Sequence, residues 1–172
     1  MKILAVIDMQ NDFIDMALGT KEAVQITDRV VKEILDPSYD RVIATMDTHE
    51  PDYMDTLEGK KLPVEHCIRD TEGWQFNAKI ASALAQRDAE IVEKPTFGSL
   101  KLQEILKEAA PDEIVFCGLC TDICVISNTL LARAALKDTP MSVLAGACAG
   151  TTPEKHTEAL SVMASCQIDV KE

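Results

Sequence analysis

Apolar residues group along the chain in two ways: short, nearly continuous runs, and longer stretches in which they recur every three or four positions. Lys2-Ile-Leu-Ala-Val-Ile-Asp8, Arg41-Val-Ile-Ala-Thr-Met-Asp47, Ala89-Glu-Ile-Val-Glu-Lys94, Glu113-Ile-Val-Phe-Cys117 and Met141-Ser-Val-Leu-Ala145 are of the first kind. Such runs are the pattern of strands buried on both faces of a parallel sheet, and Ile168-Asp-Val170 predicts a sixth. The second kind lies between them. Thr20 caps a predicted helix with Val24, Thr27, Val30, Val31, Ile34 and Leu35 at helical spacing, stopped by Asp36-Pro37. Trp74 to Ala85 reads as another helix. Ser99 caps a third that carries Leu102, Ile105, Leu106 and Ala109. Thr121 is the expected N-cap of a fourth, with Ile126, Leu130, Ala134 and Leu136 on its apolar side, and Thr152-Pro153 opens a last helix bearing Ala159, Leu160 and Met163. From Thr48 to Gly73 the periodicity disappears, and a loop of that length inside a compact domain is usually functional. The alternation predicts an α/β fold: a single-domain three-layer sandwich with a six-stranded, mostly parallel sheet and helices on both faces.

Composition narrows what such a domain can do. At 172 residues, 47% hydrophobic and 27% charged, the chain has enough apolar surface for one full core. A net charge of −12 leaves no basic patch to neutralise phosphates, which argues against nucleic acid and anionic membrane as partners and leaves small molecules. The run Ile3 to Ile7 stops at Asp8, too short for a signal-peptide core, so a cytoplasmic location is expected, with the six cysteines reduced. Cys117-x2-Cys120-x3-Cys124 could be read as a metal cluster, but no second Cys or His pair follows at zinc-finger spacing.

Candidate chemistry gathers at one edge. Parallel strands bring their carboxyl ends together, so Asp8, Asp47, Lys94 and the turn before Cys124 should converge there, where open α/β sheets bind ligands. Cys124 falls at about the third helical position after Thr121. The free N–H groups and the dipole of a helix start predict a thiol pKa below ~8.5. Taken alone, Cys117, Cys120 and Cys124 would be small apolar core fillers. Asp8 can act as the base that takes the thiol proton, Lys94 can hold thiolate and carboxylate by charge, and the N–H groups of Cys120 and Cys124 can receive an oxyanion. Either Asp8 or Lys94 alone reads as well as a partly buried ion pair.

Three motifs in this order, Val6-Ile-Asp8-Met-Gln-Asn-Asp-Phe13, Glu93-Lys94-Pro-Thr-Phe-Gly-Ser99 and Cys117-Gly-Leu-Cys-Thr-Asp-Ile-Cys124-Val, resemble the isochorismatase-like cysteine hydrolase superfamily. Ala145-Gly-Ala-Cys-Ala-Gly150 and His156-Thr-Glu-Ala-Leu160 extend the likeness over nearly the whole chain. The resemblance implies a catalytic triad of Asp8, Lys94 and Cys124 and a cis peptide at Leu119-Cys120. In the long loop, Asp47-Thr-His49 and the later His66 offer one carboxylate and two imidazoles, a set that can hold a divalent ion with positions left open. The nicotinamidase-like branch is similar in this set. It implies zinc, iron or manganese beside the cysteine, with zinc first, and Glu58 as a fourth ligand, Asp55 being the alternative. The branch also implies a small-molecule amide substrate, nicotinamide hydrolysed to nicotinate and ammonia through a thioester, and a homo-oligomer. Phe13 and Leu119 are the substrate-binding candidates. Leu62-Pro-Val-Glu stands where an aromatic residue that stacks on the ring often lies, Trp74 has no clear alignment, and His156 reads as structural. The alternatives are a superfamily hydrolase of another small amide, a ureido compound or a vinyl ether, and a non-catalytic binding member.

Overall fold

The computed structural model describes residues 1–172. Six strands, β1 (Lys2–Ile7), β2 (Arg41–Asp47), β3 (Glu90–Lys94), β4 (Glu113–Leu119), β5 (Met141–Ala149) and β6 (Asp169–Lys171), form one all-parallel sheet in the order β3-β2-β1-β4-β5-β6. Seven helices cover it: α1 (Asn11–Ile14), α2 (Lys21–Leu35), α3 (Leu57–Lys61), α4 (Ala78–Gln86), α5 (Leu100–Ala109), α6 (Ile126–Ala135) and α7 (Pro153–Ser165). This is the predicted α/β sandwich. β1 and β4 are almost wholly buried, which is why they read as unbroken apolar runs. The strand order reverses direction between β1 and β4, and the carboxyl ends of those two strands carry Asp8 and the turn to Cys124. A crevice at that reversal is the general ligand site of open α/β sheets. No helix is long and apolar enough to cross a membrane.

Several boundaries differ from the sequence reading, each for a local reason. The helix expected from Trp74 starts only at Ala78, capped by Asn77, whose side chain accepts from the Lys79 N–H. Residues 75–77 are occupied first in hydrogen bonds to residues 9–11, Asn11 N to Gln75 O and Asn77 N to Met9 O, which keeps them extended. β5 runs four residues past Ala145 because a register shift opposite Phe116 and Gly118 lets Cys148 and Ala149 pair with Gly118 and Leu119. On α2 the core stripe is Ala23, Thr27, Val30 and Ile34, a 4-3-4 spacing, while Val24 is 51% exposed and Leu35 39%. The Thr48 to Gly73 stretch also holds a 3-10 turn, Tyr53–Asp55, and α3. Thr56 caps α3 through its hydroxyl, which accepts from the Gly59 N–H.

One glycine is required by the way β1 and β4 meet. Gly118 has φ +115, and a Cβ there would lie 2.1 Å from the Ile7 carbonyl oxygen, a backbone atom that cannot turn aside. Gly146, on the exposed part of β5, would meet nothing closer than 4.0 Å. Gly118→Ala is therefore expected to lose on the order of 4 kcal/mol in urea denaturation, against a change within about 0.5 kcal/mol for Gly146→Ala. Equal midpoints for the two variants would contradict the close packing at this crossing.

Candidate active site

Asp8 is the first residue beyond β1 and has a left-handed backbone, φ 47, so its carboxylate turns away from the strand line into the crevice. Thr45 on β2 meets it there. The Thr45 hydroxyl donates to Asp8 Oδ1 at 2.6 Å, and the Asp8 N–H lies 3.3 Å from both the carbonyl and the hydroxyl of Thr45. Asp8 Oδ2 is 2.7 Å from Lys94 Nζ as an ion pair but takes no aligned hydrogen bond. Lys94 ends β3 and is 1% exposed. Its ammonium also donates to Asp47 Oδ1 at 3.0 Å, to the Thr96 carbonyl at 3.0 Å and to Cys124 Sγ at 3.5 Å. One cation thus touches two carboxylates and the thiol.

These contacts set the proton affinities. Burial works against the Lys94 charge, but Asp8, Cys124 and Asp47 outweigh it and hold the ammonium protonated well above its ordinary range. Burial pushes the Asp8 carboxyl up; Lys94 opposes this, yet the ammonium is shared with Asp47, whose charge pushes the same way as burial. A carboxylate of raised proton affinity beside a thiol is what a general base needs. For Cys124 the expectation is reversed. Burial and the Asp8 charge push its thiol well above the free value, and Lys94 offsets only part of this. Both effects favour the thiol over the thiolate at Cys124.

The helix start also differs from the expected one. Cys120, not Thr121, is the N-cap, and residues Thr121–Val125 form a single π-turn that leads into α6, with the Val125 N–H bonded to the Cys120 carbonyl. Thr121 is fully buried and its hydroxyl shares a 2.7 Å hydrogen bond with His156 Nδ1, which ties α7 to this turn. His156 thus holds the turn from the side of α7. The Leu119-Cys120 peptide is cis, and the Cys120 N–H has no protein acceptor, so it is free to meet a ligand oxygen. Asn128 on α6, wholly buried, donates to the Cys124 and Phe97 carbonyls and accepts from the Ser99 N–H. It binds the helix start that carries Cys124 to the loop after β3.

Asp47, His49, Glu58 and His66 lie together, their ligand atoms all within 4.8 Å of one another. His49 Nε2 is 3.0 Å from Asp47 Oδ2 and 3.6 Å from Glu58 Oε1; His66 Nε2 is 3.6 Å and 3.7 Å from the same atoms. Ligands of a four-coordinate ion at ~2.1 Å stand ~3.4 Å apart, so the group fits a divalent metal. The tautomer is fixed as well, since His66 Nδ1 is held at 2.8 Å by the Val64 carbonyl, leaving Nε2 to the site. Burial works against the Asp47 charge, but His49, His66 and Lys94 outweigh it and keep the carboxyl well below the usual range. Asp55 is not part of the group. Glu58 reaches it because Gly59 lets α3 press on the 3-10 turn, where a Cβ would lie 2.1 Å from the Tyr53 carbonyl oxygen. Tyr53, wholly buried, packs its ring 4.7 Å from His49 and 5.0 Å from His66, centroid to centroid.

A cavity of about 290 Å³ joins the two groups. Asp47, Glu58 and His66 line one side, Cys120 and Cys124 the other, and Phe13, Leu18, Leu62, Phe97 and Ile123 supply apolar wall. Phe13, a candidate from sequence, lines the cavity with its ring 5.6 Å from that of His66. Leu119, the other candidate, does not: its side chain is fully buried in the core. Trp74 also lies outside it, its indole N–H donating to Thr48 Oγ1. Phe97, Tyr53, Thr45 and Asn128 were not singled out from sequence. Only Phe97 stood in a quoted motif, three residues after Lys94.

Among solved structures the chain is similar to a nicotinamidase/pyrazinamidase from Bacillus subtilis, at 28% identity and TM-score 0.87 over 99% of each chain. It shares its fold with a pyrazinamidase from Pyrococcus horikoshii solved in complex with zinc, 24% identical, TM-score 0.80, over 99% of this chain and 98% of that one. The fold is common also to the yeast nicotinamidase bound to the inhibitor nicotinaldehyde, 18% identical, TM-score 0.87, over 100% of each. No curated protein sequence matches the chain. The family profile described as the isochorismatase domain matches residues 2–171, and the chain accordingly belongs to the isochorismatase family.

Proposed function

We propose that the protein is a metal-dependent amidohydrolase of a small aromatic amide, with nicotinamide hydrolysed to nicotinate and ammonia. The observation that carries this reading is the one cavity lined both by Cys124 and by Asp47, Glu58 and His66 of the group that also includes His49, with apolar walls between. A substrate with an amide at one end and a ring nitrogen at the other matches that arrangement. The 28% identity to the Bacillus subtilis nicotinamidase/pyrazinamidase supports it.

In the proposed cycle Asp8 takes the proton of Cys124 as sulfur attacks the amide carbon. The N–H groups of Cys120 and Cys124 receive the oxyanion, at the positive end of the helix start. The proton on Asp8 passes to the departing nitrogen, the C–N bond breaks, ammonia leaves and the acyl group stays on sulfur. Asp8 next takes a proton from water, whose hydroxide adds to the thioester; the C–S bond breaks and Cys124 recovers the proton from Asp8. Lys94 stays protonated throughout and balances whichever of Asp8 and Cys124 carries the negative charge. Held by Asp47, His49, Glu58 and His66, a divalent ion, zinc by the donor set with iron or manganese as alternatives, would supply Lewis-acid chemistry toward a ring nitrogen and so help orient the amide. Phe13 and Phe97 provide apolar surface for the ring.

Cys124→Ala is expected to lower nicotinamide turnover by at least ~10³-fold with an unchanged circular dichroism spectrum. Retention of turnover in that variant would place the nucleophile elsewhere.

Asp8→Asn and Lys94→Met should each cost ~10²-fold or more in kcat, and the double variant should lose far less than the product, since both act on the same proton and charge. Lys94→Met leaves two buried carboxylates without their cation and should also cost ~3–5 kcal/mol of stability, part of which Asp8→Asn restores. Strict additivity in both kcat and denaturation midpoint would separate the two residues.

For the metal, elemental analysis should find about one zinc, iron or manganese per chain, lost in His49→Ala together with nicotinamide turnover. A metal-free protein that turns over fully in strong chelator would sink the nicotinamidase reading and favour a metal-independent hydrolase of the same family.

A further inference from the structure

The mechanism above uses one oxygen of Asp8, and something must hold the other. Asp8 stands just past the end of β1 with a left-handed backbone, and its N–H is held by β2 at Thr45 while its side chain is set by side-chain contacts alone. Its carboxylate faces a strongly attractive neighbour, the Lys94 ammonium at 2.7 Å from Oδ2. A lysine ammonium is a point charge and imposes no fixed geometry on a carboxylate, so without a second contact either oxygen of Asp8 could turn to Lys94. In the structure this does not happen, because Oδ1 is taken by the Thr45 hydroxyl at 2.6 Å, the shorter and aligned contact, while Oδ2 takes no aligned hydrogen bond. The Asp8 N–H, 3.3 Å from the same hydroxyl, fixes that hydroxyl's own orientation, so its hydrogen points at Oδ1. Thr45 is 0% exposed, and its neighbours Ala44 and Met46 are also buried on β2. Nothing competes for its hydroxyl.

We propose that Thr45 is a positioning residue that saturates Asp8 Oδ1 and so reserves Oδ2 for the proton of Cys124. It touches neither the metal group nor the cavity and acts only through Asp8. The inference rests on the reading of Asp8 as the base, but not on the identity of the substrate. Removing the hydroxyl while keeping the shape releases the carboxylate to rotate onto Lys94, and the thiol loses its acceptor. The loss belongs to the chemical step, so kcat should fall and KM should stay.

The test compares Thr45→Val with Thr45→Ser in the intact protein. Two rates are read: turnover of nicotinamide, and alkylation of Cys124 by iodoacetamide followed by peptide mapping, with Cys166 on the far end of α7 as the internal standard. In Thr45→Val, kcat is expected to fall ~10–100-fold with KM within about twofold, the usual size of losing a group that orients an active residue. Cys124 alkylation should slow at least about tenfold while Cys166 is unaffected. Thr45→Ser, which keeps the donor, should stay within about threefold of the parent in both rates. Thr45→Ala gives the same readout should valine fail to fold. Parent-like rates in folded Thr45→Val, faster Cys124 alkylation, or a serine variant as impaired as valine would each overturn the proposal. A parent protein whose Cys124 is alkylated normally but which releases no ammonia from nicotinamide would fail the substrate reading alone, and the alkylation comparison would still decide the role of Thr45.

Discussion

Everything at the carboxyl edge of the sheet depends on one buried cation. Lys94 is held within 3.5 Å of two carboxylates, a carbonyl and a thiol, with its side chain closed to solvent. Removing an ammonium from water costs several kcal/mol, and only close anions offset that loss. Asp8 and Asp47 are those anions, and each has a second task. Asp8 faces the thiol, and Asp47 faces the imidazoles of His49 and His66. Two groups that would be separate in a list of motifs are thus joined through one side chain. Burial raises the proton affinity of Asp8, and the nearby Asp47 charge, which shares the lysine, adds to it.

The sheet supplies the frame for this. β2 and β3 end in Asp47 and Lys94, paired in the ladder itself, and Asp8 follows the last residue of neighbouring β1 at nearly the same level. β4 brings Cys124 from the opposite direction of winding, through a glycine of positive φ, a cis peptide and a π-turn in close succession. Irregular backbone gathers at the one place where side chains from both halves of the sheet must meet. The regular parts of the fold then carry the burial, in a single apolar cluster that includes residues from all the strands except β6.

Much of this could be read from the chain before any coordinates, because strand-ending acids and a strand-ending lysine are local features and a parallel sheet has only one way to gather them. Asp8, Asp47, Lys94 and the turn to Cys124 meet at that edge, and His49 and His66 from the loop pattern and Glu58 from the family resemblance lie beside them. What escaped was set by contacts distant in sequence. Thr45 looks like an ordinary strand threonine until Asp8 stands opposite. Tyr53 supports two histidines from inside a stretch with no periodicity, and Asn128 looks like a solvated helix residue. Trp74 reads as a helix start only if the pairing of residues 75–77 with 9–11 is unknown. The thiol of Cys124 was expected to be acidic from the helix dipole alone. Burial, which a sequence does not display, is the larger effect.

The three hydrogen bonds of Asn128 have a consequence for how the cavity accommodates a guest. Cys124 and Phe97 are tied to one amide side chain, so the sulfur and that apolar wall shift together and their separation hardly fluctuates. The facing wall, with Glu58 and Leu62, is carried by the stretch after β2, whose only regular pieces are a three-residue turn and a five-residue helix. Such short pieces fluctuate more readily than the sheet they rest on. The entropy lost on enclosing a ligand is therefore paid on that side, while the reacting side is ordered in advance.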